Sequence, residues 1–158
     1  MQIEAIYGAN RYEVCERTRP SSRAIIIKDG KLLLVRDDVQ DMYMLPGGGL
    51  EGEESLEQCC IREVLEETGY YCKVLKSTIR IDEYYLEMCF SGTYFICEIT
   101  GIGEQNLTDY EAKNSLHNVW MDVDTAYEMF ADYKKYADYW EKESTYLREY
   151  SALKHYFI

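Results

Sequence analysis

The sequence predicts an α/β fold, a mixed β-sheet sandwiched between helices, and three observations predict it. Two dense aliphatic runs, Arg23 to Ile27 and Lys31 to Arg36, have the near-continuous apolar character of central strands covered on both faces. The stretch from Ser55 to Thr68 reads as a helix with its own start and stop signals, Ser55 with Gln58 as a capping box and Gly69 just past the end. From Ala131 to Tyr150, tyrosines and charges recur at helical spacing.

The remaining elements follow in chain order. Ile3 to Tyr7 and Tyr12 to Cys15 read as an N-terminal hairpin around Gly8-Ala9-Asn10. Asp29-Gly30, between the two aliphatic runs, is a strong two-residue hairpin signal. Pro46-Gly47-Gly48-Gly49 breaks the sheet and leads to the helix, whose apolar side is Leu56, Cys59 or Cys60, Val64 and Leu65. Tyr71 to Leu75, Ile79 to Ile81, Tyr84 to Cys89 and Gly92 to Ile99 read as strands, the last being the clearest. Val119 to Met121 is a short strand, and Asp122-Val123-Asp124-Thr125 opens a helix from Ala126 onward.

With 158 residues and no linker, repeat or low-complexity segment, residues 1–158 fit one domain with a proper core. No apolar run approaches the length of a membrane span, and Met1-Gln2-Ile3-Glu4 does not begin a signal-like segment, which favours a cytoplasmic protein. The six cysteines lack the paired spacing of zinc sites or small secreted scaffolds, so reduced, buried thiols are expected. A net charge of −12 repels nucleic acid polymers, whose binding rests on Lys and Arg meeting phosphates. It leaves room for a small phosphorylated molecule, whose charge a metal ion and one or two local cations can offset. A homodimer stays compatible with the sequence.

The chemistry is concentrated between Gly47 and Gly69. At helical spacing Glu63, Glu66 and Glu67 point to one region of the surface, where like charges repel. A hard divalent cation such as Mg²⁺, which prefers oxygen ligands, is the natural neutraliser. A solvated helix face would be the plain alternative, but Arg62 is the only base in this helix. Arg36, Arg23 and Arg80 are candidate phosphate contacts, though each alone is more often a surface charge; Tyr84, Tyr85 and Tyr94 could stack on a base, though a tyrosine-rich core explains most of the 16 tyrosines. His117 and His155 read as surface residues.

Gly48, Glu54, Arg62-Glu63, Val64, Glu66-Glu67 and Gly69 stand at the gaps of the Nudix box, the signature of the Nudix hydrolases, and the chain resembles that family. Tyr70 departs mildly, at a packing position that is usually aliphatic. The lead-in Leu45-Pro46-Gly47-Gly48 also matches, with Tyr43 where an aromatic residue commonly sits. The resemblance implies an α/β/α sandwich and a hydrolase that uses Mg²⁺ or Mn²⁺ to cleave the diphosphate linkage of a nucleoside diphosphate joined to another group. It implies metal ligands at Glu63, Glu66, Glu67 and the Gly47 carbonyl, with Glu63 often assigned as the base. Arg62 would orient the glutamates with Glu54 as partner, and Tyr43 would join Arg36 and Arg23 as a substrate contact. A further acidic group often comes from a later loop; Glu111 is the candidate, with Glu98, Glu104 and Asp109 as rivals. The ADP-ribose-cleaving branch often has a proline shortly after the box, and this chain has none beyond Pro46, which counts against that substrate. A Nudix-fold sensor that binds nucleotide without turnover is the alternative, with an intact box arguing against it.

Overall fold

The computed structural model describes residues 1–8, 15–85 and 87–157. In chain order the elements are β1 (Gln2–Tyr7), β2 (Arg17–Ile25), β3 (Ile27–Lys28), β4 (Lys31–Asp37), β5 (Met42–Met44), β6 (Gly47–Gly49), α1 (Leu56–Thr68), β7 (Tyr70–Tyr85) and β8 (Met88–Ile102). There follow α2 (Asp109–Lys113), β9 (His117–Asp122), α3 (Val123–Ala131), a 3₁₀ turn at Tyr133–Tyr136 and α4 (Trp140–Tyr156).

A mixed sheet runs β1-β7-β8-β2-β6, with β1/β7 and β2/β8 parallel and β7/β8 and β2/β6 antiparallel. A second, antiparallel sheet is built on β4, which pairs β3, β5 and β9. The aliphatic runs are covered on both faces, as their composition implies, and the side-chain alternation of a strand sorts them. Ala24, Ile26 and Leu33 pack with Cys60 and Val64 of α1, while Ile25, Leu32 and Leu34 pack with Phe130 of α3 and Tyr146 and Leu153 of α4.

The short-range signals hold. Asp29 and Gly30 both take positive φ, 51° and 75°, the conformation a two-residue hairpin of primed type needs. Ser55 caps α1 in a reciprocal capping box with Gln58, and Gly69 closes it at φ 78°.

Strand pairing and helix bounds differ from the sequence expectation in several places. β1 pairs with β7 in parallel, and the turn and second strand of the expected N-terminal hairpin, positions 9–14, lie outside the described residues. The strands expected over Tyr71–Leu75 and Ile79–Ile81 are one continuous β7, whose register shifts at Val74/Lys76 and Ser77/Arg80 disguise it by breaking the alternation. Tyr84 and Cys89 face each other across the closed end of the β7–β8 hairpin instead of sharing a strand. Finally, α3 begins at Val123, and the C-terminal helical stretch is a 3₁₀ turn followed by α4, which extends to Tyr156.

Among the described residues no helix is long and apolar enough to cross a membrane. All six cysteines are free; Cys59, Cys60, Cys72, Cys89 and Cys97 are buried and Cys15 is half-buried. Tyr94 is fully buried with its hydroxyl donating to Glu149 at 3.1 Å, so it belongs to the core and cannot stack on a base.

Candidate metal and phosphate site

Three parts of the chain meet at the candidate site, the glycine strand β6, the helix α1 and the start of α2. β6 lies antiparallel to β2, and Ser22 Oγ donates to the Leu56 carbonyl at 2.6 Å, tying the same strand to the first turn of α1. A Cβ on Gly47 would fall 2.1 Å from the Ser22 carbonyl oxygen, and Gly47 has φ +154°, so only glycine lets β6 lie this close to β2. A Cβ on Gly48 would lie 2.5 Å from a carboxylate oxygen of Glu63, so this glycine makes room for the glutamate.

The other end of α1 recruits the later loop through Gln105 and Asn106, which the sequence did not single out. The last four helical carbonyls, which have no partner within the helix, are all satisfied. Leu65 receives Gly69 N at 2.9 Å, Glu66 receives Asn106 N at 2.8 Å, Glu67 receives Gln105 Nε2 at 2.5 Å and Thr68 receives Asn118 Nδ2 at 2.7 Å. Residues 105–106 are thereby docked on α1, and the following Thr108-x-x-Glu111 forms a second reciprocal capping box at the start of α2. The expected loop around Glu111 is thus a short helix, and its signature of Thr followed three residues later by Glu was readable in the sequence.

These anchors bring Glu63, Glu67 and Glu111 together, with one carboxylate oxygen from each lying within 4.8 Å of the others. Glu63 and Glu67 are buried and Glu111 is half-buried. Glu66 stands outside this trio, its carboxylate turned to Arg62 Nη1 at 3.1 Å. Glu98 pairs instead with Lys73, at 2.8 Å, while Glu104 and Asp109 are exposed.

Electrostatics sharpen the picture. Burial pushes the Glu67 carboxyl up to about 8, against the lowering influence of the Gly47 N–H, which donates to its Oε2 at 2.9 Å. Burial likewise raises Glu63, opposed by the Arg62 guanidinium at 2.9 Å, with Glu66 and Glu111 adding repulsion. Arg62 is shared between Glu54, Glu63, Glu66 and the Gly49 carbonyl, and the Glu54 contact holds its guanidinium firmly protonated. Oxygen donors, crowded, desolvated and short of positive charge, suit a hard divalent cation and offer nothing to a soft one.

The expected substrate contacts are not gathered here alike. Arg23 donates to the Leu45 carbonyl at 3.1 Å and lies 4.0 Å from buried Glu149, while its charge still reaches Glu67. Arg36 and Tyr43 face each other on β4 and β5, with the guanidinium 4.8 Å from the ring centroid and engaged by Asp38 and Asp41 at 3.3 and 2.5 Å. Arg80 pairs with Asp82 at 3.0 Å.

The family model described as NUDIX domain matches residues 18–141. The chain belongs to the Nudix family. A Caenorhabditis elegans protein carrying the nudix hydrolase name is 32% identical over 110 residues, 63% of this chain and 28% of that protein. An ADP-ribose pyrophosphatase of Methanocaldococcus jannaschii is 42% identical over 53 residues, 32% of this chain and 31% of that one. The Nudix match with these curated relatives therefore spans a third of their length or less. Among solved structures, a NUDIX hydrolase from Nitrosomonas europaea superposes with a TM-score of 0.61 at 22% identity, over 88% of this chain and 92% of that one. That likeness extends the shared Nudix fold over nearly the whole chain.

Proposed function

We propose that this Nudix protein is a metal-dependent pyrophosphohydrolase that cleaves the diphosphate linkage of a nucleoside diphosphate joined to a second group. The observation that carries the reading is the convergence of Glu63, Glu67 and Glu111 beside the Gly47–Gly49 strand. Glu63, Glu67 and Glu111 would hold Mg²⁺ or Mn²⁺, with Glu66 and the Gly47 carbonyl as further ligands on the family pattern. When bound, such an ion neutralises charge on the phosphate oxygens and makes water more acidic.

The chain's own groups supply the rest. Water oxygen attacks phosphorus, the anhydride P–O bond breaks, and its electron pair leaves on the departing phosphate. Glu63 or Glu111 takes the proton that the water loses. Arg62 keeps the Glu63 carboxylate from swinging, and the Gly47 N–H fixes that of Glu67. A recess of about 530 Å³ whose walls include Ile6, Tyr7, Tyr85, Trp140 and Leu147, with Glu143 and Ser144 as polar members, offers aromatic faces that suit a flat ring. The relatives' names support the bond class: one is an ADP-ribose pyrophosphatase, another a DHNTP pyrophosphohydrolase from Lactococcus lactis. Six free thiols suit the reducing cytoplasm.

The test is a panel of nucleoside diphosphate derivatives, dinucleoside polyphosphates and oxidised nucleoside triphosphates incubated with Mg²⁺, reading phosphate and pyrophosphate release. Turnover that stops with EDTA and in Glu67→Gln supports the reading. Tight binding of a nucleotide without turnover would make the protein a sensor instead.

A further inference from the structure

We propose that Arg19, which the sequence reading passed over, is the arginine that binds a phosphate of the substrate. The identity of that anion rests on the hydrolase reading; the anion contact itself does not.

The first observation is that, among the described residues, most arginines are paired with a carboxylate and Arg19 is not. Acidic residues outnumber Lys and Arg by 29 to 17, so among the described residues an arginine without a carboxylate is the exception. Arg23, Arg36, Arg62, Arg80 and Arg148 each have an acidic partner within 4.0 Å. Among the described residues, the exposed Arg17 and Arg19 have none, and the Arg19 guanidinium makes no hydrogen bond to them.

The second observation is where Arg19 goes. Arg17, Arg19 and Arg23 occupy alternate positions of β2 and so share one face of the sheet. Of the two unpaired arginines, Arg19 is the one at the glycine strand: a Cβ on Gly49 would lie 3.1 Å from both its Nε and its Nη2. Gly48, the residue before it, points to the opposite face of the strand and makes room there for Glu63. The guanidinium and the carboxylates therefore bracket the same two glycines, whose lack of side chains leaves both approachable.

The chemistry follows. Buried carboxylates repel a diphosphate, and a cation held by them offsets only part of its charge. A guanidinium with free donors presents a planar fork that matches two phosphate oxygens. Arg23 and Arg36 have much of that capacity occupied by Leu45, Glu149, Asp38 and Asp41.

The probe is inorganic pyrophosphate in the presence of Mg²⁺, its binding measured by calorimetry and compared with steady-state kinetics on whichever nucleotide the panel identifies. Arg19→Gln weakens pyrophosphate binding and raises KM by about tenfold or more, the scale of a charge-assisted contact. Arg19→Lys recovers part of the loss, and Arg17→Gln stays within about twofold of wild type, since Arg17 lies one alternate position farther from Gly49. Melting temperature and Mn²⁺ affinity without pyrophosphate stay unchanged in Arg19→Gln, which a merely structural role would not predict. The proposal is overturned if wild type binds no pyrophosphate, if Arg19→Gln binds it like wild type, or if Arg17→Gln loses as much. If pyrophosphate binding depends on Arg19 but no nucleotide is turned over, the hydrolase reading fails and the anion site stands.

Discussion

Arg62 holds Glu54 with both arms of its guanidinium, Nε to one carboxylate oxygen at 3.0 Å and Nη2 to the other at 2.6 Å. This two-point grip fixes the guanidinium plane, so that Nη1 meets both Glu63 and Glu66. Glu54 also receives the Glu51 N–H at 2.9 Å, which ties the loop after the glycine strand to the same arginine. The pair therefore aligns one of the clustered carboxylates without belonging to the cluster.

The Arg62 contact holds the Glu54 carboxyl down at about 2. A folded-state value below the unfolded one, about 4.3, means that the stabilisation is present above the unfolded value and is lost as pH falls through the folded one. Glu54→Gln is thus less stable than wild type at neutral pH, and the gap narrows between pH 4.5 and 2. Denaturant unfolding of both proteins at a series of pH values checks this; a gap independent of pH would contradict it.

Glu63→Gln and Glu67→Gln each lower turnover by about two orders of magnitude or more, the scale of a positioned base or a preorganised electrostatic contact. Both variants keep the fold, because glutamine preserves an acceptor for the Gly47 N–H or for Arg62 while removing a crowded charge. Steady-state kinetics alongside circular dichroism separates the two effects.

The glycines respond differently from one another. Gly47→Ala forces a Cβ against the Ser22 backbone and costs about 1–3 kcal/mol or more in stability. Gly48→Ala pushes on the Glu63 carboxylate and lowers activity more than stability. Gly52→Ala, at φ +54° with nothing within 4 Å, costs about 1 kcal/mol and leaves activity unchanged. Urea unfolding and turnover measured on all three variants test this ordering.

Glu149 is fully buried and accepts from Tyr94 Oη at 3.1 Å and Arg148 Nη2 at 2.9 Å. Glu149→Ala leaves Arg148 with Glu83 alone and is expected to cost about 3–5 kcal/mol, while Glu149→Gln costs less by keeping an acceptor. Chemical denaturation of the two variants checks the order.

What could be read in the sequence was local. Ser55, Gln58 and Gly69 bound α1 because caps and turns need only neighbours in the chain, and Asp29-Gly30 marks its hairpin for the same reason. The parallel pairing of β1 with β7 was hidden, since residues 2–7 meet residues 79–84, about half of the chain away. Bulges concealed the continuity of β7, whose alternation they interrupt. At the site, the spacing of Glu63, Glu66 and Glu67 pointed to one helix face, but the turning of Glu66 toward Arg62 depends on the loop that Glu54 occupies. Arg19 left no sequence signal, because what distinguishes it is the lack of a partner among the described residues.

The most direct test of the central claim is a thermal-shift titration with Mg²⁺ and Mn²⁺ on wild type, Glu67→Gln and Glu63→Gln. A cation that binds only the folded protein stabilises it by about 2.7 kcal/mol at a hundredfold excess over Kd, which is about 5–10 °C for a domain of this size. Wild type is expected to show a saturable rise of that order, largely lost in both variants and not reproduced by Na⁺ at equal ionic strength. Equal responses in wild type and variants, or an equal response to Na⁺, would show that Glu63, Glu67 and Glu111 do not form a metal site.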